Sequence, residues 1–199
     1  MTLDIPAGDF AGYIFDLDGT LVDSMPLHYR AWDTAMRHHG MPGRFDVELF
    51  YSLGGMHSQD VVGILGKHYG LALDPAKVIP MMEAVYLTLL PELKCIEPVA
   101  AFAGRVAKTH PVAIATGNLP DVSLPAIKAA GLGHIFKIVV TPADVPPGRG
   151  KPHPDMFLLA AKLCGVAPEK CLVFEDAAPG IQAATAAGMT VVRVRSRVH

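Results

Sequence analysis

The stretch Tyr13-Ile14-Phe15-Asp16-Leu17-Asp18-Gly19-Thr20-Leu21-Val22-Asp23-Ser24 decides how the chain is read. An aromatic and β-branched run, as a buried strand requires, breaks abruptly into two carboxylates and a glycine. Asp16 and Asp18 are two apart, so at a strand's carboxyl end both side chains can face one way. In open α/β sheets, ligands bind beyond that edge. Taken alone, Asp-x-Asp-Gly is better read as a solvated turn, so the rest of the chain has to decide.

Past Glu97 the pattern alternates strand and helix, the signature of βαβ units and a parallel sheet. Strands are expected at 112–115, 138–141, 171–174 and 191–194, with helices at 99–108, 154–164 and 179–187. Pro154 and Pro179 suit first helical positions, and Gly131, Gly165 and Gly188 suit helix ends. A further helix lies within 120–130. Because Pro125 is unfavourable inside a helix begun near Pro120, its start is placed near Ser123. Residues 25–90 hold helical patterns only: one helix with Leu27, Ala31, Ala35 and Met36 on a stripe up to Gly40, then helices at 46–53, 58–69 and 75–90, the glycines Gly54 and Gly55 breaking the first of these three from the second. The fold expected is therefore α/β, a doubly wound, Rossmann-like parallel sheet built from 1–24 and 91–199, with residues 25–90 inserted as a small helical cap.

Three more stretches fall just past expected strand ends. Thr116-Gly117-Asn118 offers a hydroxyl, a glycine open to close approach and an amide before a helix N-terminus, a set of donors suited to a phosphate, though also to an ordinary capped turn. Gly150-Lys151-Pro152-His153-Pro154-Asp155 fixes one lysine in a loop of prolines and glycine, a positioned point charge. Glu175-Asp176 ends an apolar strand with hard oxygen ligands of the kind that suit Mg²⁺. If these converge with Asp16 and Asp18, four carboxylates gather round one lysine, a charge imbalance a divalent cation relieves.

Composition sets the limits. The 199 residues are 51% hydrophobic with a formal net charge of -2, so the chain can bury a core and carries no bias toward polyanions. No nucleic-acid or membrane partner is expected. Cys95, Cys164 and Cys171 have no disulfide or zinc spacing, which fits a reducing compartment. The first ten residues lack a basic segment and a long apolar run, and no segment has about 18 consecutive apolar residues; a cytoplasmic protein is expected.

The four motifs together, in this order, resemble those of the haloacid dehalogenase superfamily. They are most similar to the β-phosphoglucomutase-like group and its short sugar-phosphate phosphatases, such as those acting on fructose 1-phosphate, which Asp23-Ser24, His28, Ala31-Trp32 and the Gly54-Gly55 turn also echo. The resemblance implies that Asp16 is a nucleophile forming an aspartyl-phosphate and Asp18 a general acid and base. It implies that Thr116, Gly117, Asn118 and Lys151 hold the phosphoryl group. Mg²⁺ would be bound by Asp16, Asp18 through its backbone carbonyl, and Asp176, with Glu175 supporting them. The cap, hinged at 21–25 and 90–98, would select the substrate through His28 and the turn at Gly55, although His28 reads equally as a packed histidine.

The partner so implied is a phosphorylated small molecule, and a monomer or weak homodimer is expected. Among rival readings, a sugar phosphomutase would need cationic grips for a second phosphate. Here His57-Ser58-Gln59 follows the cap glycine turn and Met81-Met82 stand on the third cap helix, which favours hydrolysis. A phosphoacceptor receiver module orders its acids differently and has no helical insertion after the first strand. A dehalogenase has no need of Asp18 and Glu175-Asp176, and a degenerate scaffold would not keep all five groups.

Overall fold

Five short strands build the α/β part in the computed structural model, which describes residues 3–195. They are β1 (Gly12–Phe15), β2 (Val112–Ala115), β3 (Ile138–Val140), β4 (Cys171–Glu175) and β5 (Thr190–Arg193), all parallel and ordered β3-β2-β1-β4-β5. The register pairs Phe15 with Ile114 on one side and with Phe174 on the other, so the strands carrying the three acidic or hydroxyl motifs end side by side. β1 is central, and the order reverses there, the place where such sheets open a crevice.

Alternation along the strands explains the two covering layers. Ile14, Ala113, Ala115, Cys171 and Val173 share one cluster with Met156, Phe157, Ala160 and Ala161 of helix α7 (Asp155–Cys164) and with Ala183 and Ala184 of α8 (Ala178–Ala186). Small residues on strand and helix let these elements approach closely. On the neighbouring strand positions, Phe15 stacks on Phe174 at 4.7 Å and Tyr13 meets Phe102 of α5 (Glu97–Val106) edge-on at 5.7 Å. Phe15 and Phe174, both fully buried, each contribute about 1.5–3 kcal/mol.

The chain divides into two compact units, the second running from Ser24 to Leu93. It is helical throughout: α1 (Met25–His38), α2 (Val47–Ser52), α3 (Ser58–Tyr69) and α4 (Pro75–Leu89). α1 and α3 both pack on α4. α1 buries Leu27, Ala31, Trp32, Ala35 and Met36, and the rings of Tyr29, Phe45, Phe50 and Tyr69 pack together within this unit. Asp46 and Asp74 cap α2 and α4 by accepting from the backbone N–H groups of Leu49 and Ala76. In the α/β unit the two connections to this insertion run together: Val22 bridges Cys95 antiparallel, and the N–H of Asp23 donates to the Lys94 carbonyl at 2.9 Å.

One helix differs from its sequence reading. α6 spans Pro120–Ala129, starting at Pro120 and not near Ser123, and Pro125 sits inside it. The ring removes one N–H bond. The turn before it is anchored instead at the Leu119 carbonyl, which accepts from the N–H groups of Val122 and Ser123 and from the Ser123 hydroxyl. Val122, Ser123, Ala126 and Ile127 are buried, so packing outweighs the lost bond. Pro154 is likewise the residue before α7 and not its first helical residue, and Pro179 is the second residue of α8. The remaining boundaries shift by one or two residues, as at β3, where Thr141 leaves the strand to cap a short turn through Asp144. Among the described residues, no helix is long and apolar enough to cross a membrane.

Candidate active site

Asp16 emerges from β1 with its N–H bonded to the carbonyl of Phe174 at 2.9 Å, so the strand pairing continues for one residue and fixes where the carboxylate begins. The side chain is 6% exposed. Its Oδ1 accepts from Lys151 Nζ at 2.7 Å, and the same ammonium donates to Glu175 Oε1 at 2.6 Å. Glu175, buried, also accepts from the Ala177 N–H at 2.9 Å through Oε2. One lysine is thus clamped between two carboxylates, with the face of Phe157 5.2 Å from its nitrogen.

Asp176 stands beside them, and one oxygen from each of Asp16, Glu175 and Asp176 lies within 4.8 Å of the others. The crowding shows in the acid–base character of the site. Burial, opposed by Lys151 and reinforced by Glu175, Asp176 and Asp18, holds the Asp16 carboxyl well above the usual carboxylate range. Burial and then Glu175 push Asp176 up to about 7. Burial alone would lower Lys151, but Asp16 and Glu175 outweigh it and raise its pKa. Three carboxylates and one ammonium leave unbalanced negative charge, and a set of hard oxygen donors so arranged fits a divalent cation.

Asp18 is turned differently. Its Oδ2 accepts from the Asn118 side-chain amide at 2.8 Å, which ties the loop after β1 to the loop after β2. Thr116 is fully buried, and its hydroxyl accepts from the Asn118 N–H at 3.2 Å. Gly117 is exposed, and a Cβ added there would meet nothing within 4 Å, so no protein atom fills the space above it. Gly19 has the opposite character: its φ is +81°, and a Cβ would overlap the Asp176 carboxylate. Only glycine serves both the turn and the acid beside it.

The α/β unit therefore brings together Asp16, Asp18, Thr116, Gly117, Asn118, Lys151, Glu175 and Asp176. His28 and Gly55 belong to the helical unit. There His28 stacks on Tyr86 of α4 with centroids 4.0 Å apart and planes 5° from parallel, and Gly55, φ +81°, makes the turn between α2 and α3. Sequence reasoning missed three contributors. Thr20 donates to Asp176 Oδ1 at 3.4 Å, Phe157 underlies the lysine, and Arg149 pairs with Asp155 across the base of the Lys151 loop, Nε to Oδ1 at 3.0 Å and Nη2 to Oδ2 at 2.8 Å. The quoted opening stretch contains Thr20, so its hydroxyl beside an acidic turn was the available signal for the first. The other two depend on contacts that spacing does not display.

The family model for haloacid dehalogenase-like hydrolases matches residues 10–188. The fructose-1-phosphate phosphatase YqaB of Escherichia coli K12 is 37% identical over 190 residues, covering 94% of this chain and 97% of that protein. Hexitol phosphatase A of the same organism is 35% identical over 194 residues, covering 93% and 83%. Among solved structures, a haloacid dehalogenase family hydrolase from Deinococcus radiodurans R1 with bound phosphate and sodium superposes with a TM-score of 0.70 at 28% identity, covering 93% of this chain and 80% of that one.

Proposed function

The chain belongs to the haloacid dehalogenase-like hydrolases, and on that premise we propose that it is a Mg²⁺-dependent phosphatase of a sugar or polyol phosphate. The observation that carries the proposal is the clamp of Lys151 between Asp16 and Glu175, with Asp176 and the Asn118-bound Asp18 beside it. The named activities of the two Escherichia coli relatives support a phosphorylated carbohydrate as substrate.

In this reading an Asp16 carboxylate oxygen attacks phosphorus while the bond from phosphorus to the leaving oxygen breaks. Asp18, protonated, gives its proton to that oxygen and releases the alcohol. Water then attacks the aspartyl-phosphate, Asp18 takes the water's proton, and Asp16 is restored with inorganic phosphate as product. The amide of Asn118 orients Asp18 for both transfers. Lys151, the Thr116 hydroxyl and the backbone N–H groups around Gly117 stabilise charge on the phosphoryl oxygens, the main source of catalysis in such transfers. Asp16, Asp176 and the backbone carbonyl of Asp18 would hold Mg²⁺, with Glu175 retained by Lys151 and Ala177. When bound, the ion neutralises the gathered carboxylates and polarises the phosphate.

We also assign the helical unit the role of a cap that excludes water and reads the leaving group. Its insertion directly after the Asp16 loop, on two paired connections, supports that role. The expected result is release of inorganic phosphate from a generic aryl phosphate and, faster, from members of a panel of hexose, pentose and hexitol phosphates. Chelator and Asp16→Asn should each abolish it. Activity that survives both rejects the mechanism, and isomerisation primed by a sugar bisphosphate without phosphate release would make the protein a mutase.

A further inference from the structure

α8 is rich in alanine, yet its third residue is glycine, Gly180. Backbone conformation does not require it, since Gly180 is helical and absent from the positive-φ glycines, and helix propensity alone favours alanine there. What the position lacks is room. A Cβ on Gly180 would overlap Oε1 and Cδ of Glu175 and stand 2.7 Å from Oε2, and these are the three atoms nearest to it.

The Glu175 carboxylate cannot step aside freely. Oε1 holds Lys151 and Oε2 holds the Ala177 N–H, both in a buried setting where a lost partner is expensive. Because Asp16 grips the same ammonium, displacing Glu175 displaces Lys151 relative to Asp16. We infer that Gly180 is a positioning residue for phosphoryl transfer: its missing side chain seats Glu175, which in turn holds Lys151 beside Asp16. This rests on the phosphatase reading for its effect on turnover, but not for the steric coupling itself.

Gly180→Ala, Glu175→Asp and the double variant test it, through phosphate release from an aryl phosphate and through melting in chelator. Gly180→Ala should lower kcat roughly 100-fold, the scale of a 1 Å misplacement, with KM within about threefold of wild type. Glu175→Asp alone should also lower kcat, because the shorter acid cannot reach both of its donors. In the double variant the shortened carboxylate clears the added methyl. Its kcat should therefore exceed that of Gly180→Ala at least about fivefold, and its melting temperature should rise above that of Gly180→Ala.

A Gly180→Ala enzyme within about twofold of wild-type kcat, or a double variant equal to the product of the two single effects, overturns the proposal. If Gly180→Ala does not fold, the double variant decides: a folded double sustains the coupling and an unfolded one overturns it. A wild-type protein that releases no phosphate would defeat the phosphatase reading, while the melting temperatures would still report whether Gly180 and Glu175 are coupled.

Discussion

Lys151 carries two interactions that are separable by experiment. It compensates Asp16 and Glu175, both buried, and in the proposed mechanism it supplies the cation that a transferring phosphoryl group meets. Removing one partner of a buried ion pair costs about 3–5 kcal/mol, since the remaining charge must be neutralised or solvated. Lys151→Met should therefore lower unfolding stability on that scale in urea titration, and lower kcat by about 10²–10³-fold. Asp176 has the opposite balance. Its carboxyl is raised to about 7, so the fold disfavours its ionised form. That penalty is absent below the unfolded carboxyl value of about 4, grows as pH rises, and is complete above about 7. In chelator at pH 8, Asp176→Asn should melt higher than wild type, and saturating Mg²⁺ should reverse the order. A variant that melts lower in both conditions would show that Asp176 is held by the fold and not by the ion.

At the scale of elements, the strand ends were legible because chemistry-bearing residues there are punctuated by glycine and proline. Asp16, Thr116 and Glu175-Asp176 could be located from an apolar run that stops, and Lys151 from the prolines and glycine around it. Pro125 misled because its cost is local, whereas the burial of Val122 and Ile127 that overrides it is set by the rest of the fold. The tie between Arg149 and Asp155 was hidden for a related reason: both look like ordinary surface charges until the loop between them closes. Solvent screens a pair at the surface, so Asp155→Ala should barely alter stability. It should nevertheless lower kcat severalfold by loosening the Lys151 loop, which kinetics beside a thermal melt would separate. Glycine in a helix also needs its surroundings to be read. Gly63 of α3 is exposed, with nothing within 4 Å of an added Cβ, so Gly63→Ala should raise stability by about 0.5–1 kcal/mol, the reverse of the loss expected at Gly180.

Across the whole molecule, every proposed phosphoryl-transfer group lies in the α/β unit, and the helical unit is joined to it by two connections. We therefore assign chemistry to one and selection to the other, which makes His28 informative. Its ring lies flat on Tyr86, a buried residue of α4, so its orientation is set within the helical unit itself. We propose that this ring reads a sugar or polyol hydroxyl, a contact that an aryl phosphate cannot use. A site built to hydrogen-bond a hydroxyl discriminates strongly against analogues that lack it. His28→Ala should then raise KM for hexitol and hexose phosphates about tenfold, while kcat/KM for an aryl phosphate changes less than about threefold. Equal losses for both substrate types would mean that the ring serves the packing of α1 on α4, and selection would have to be sought elsewhere in the helical unit, first at the turn around Gly55.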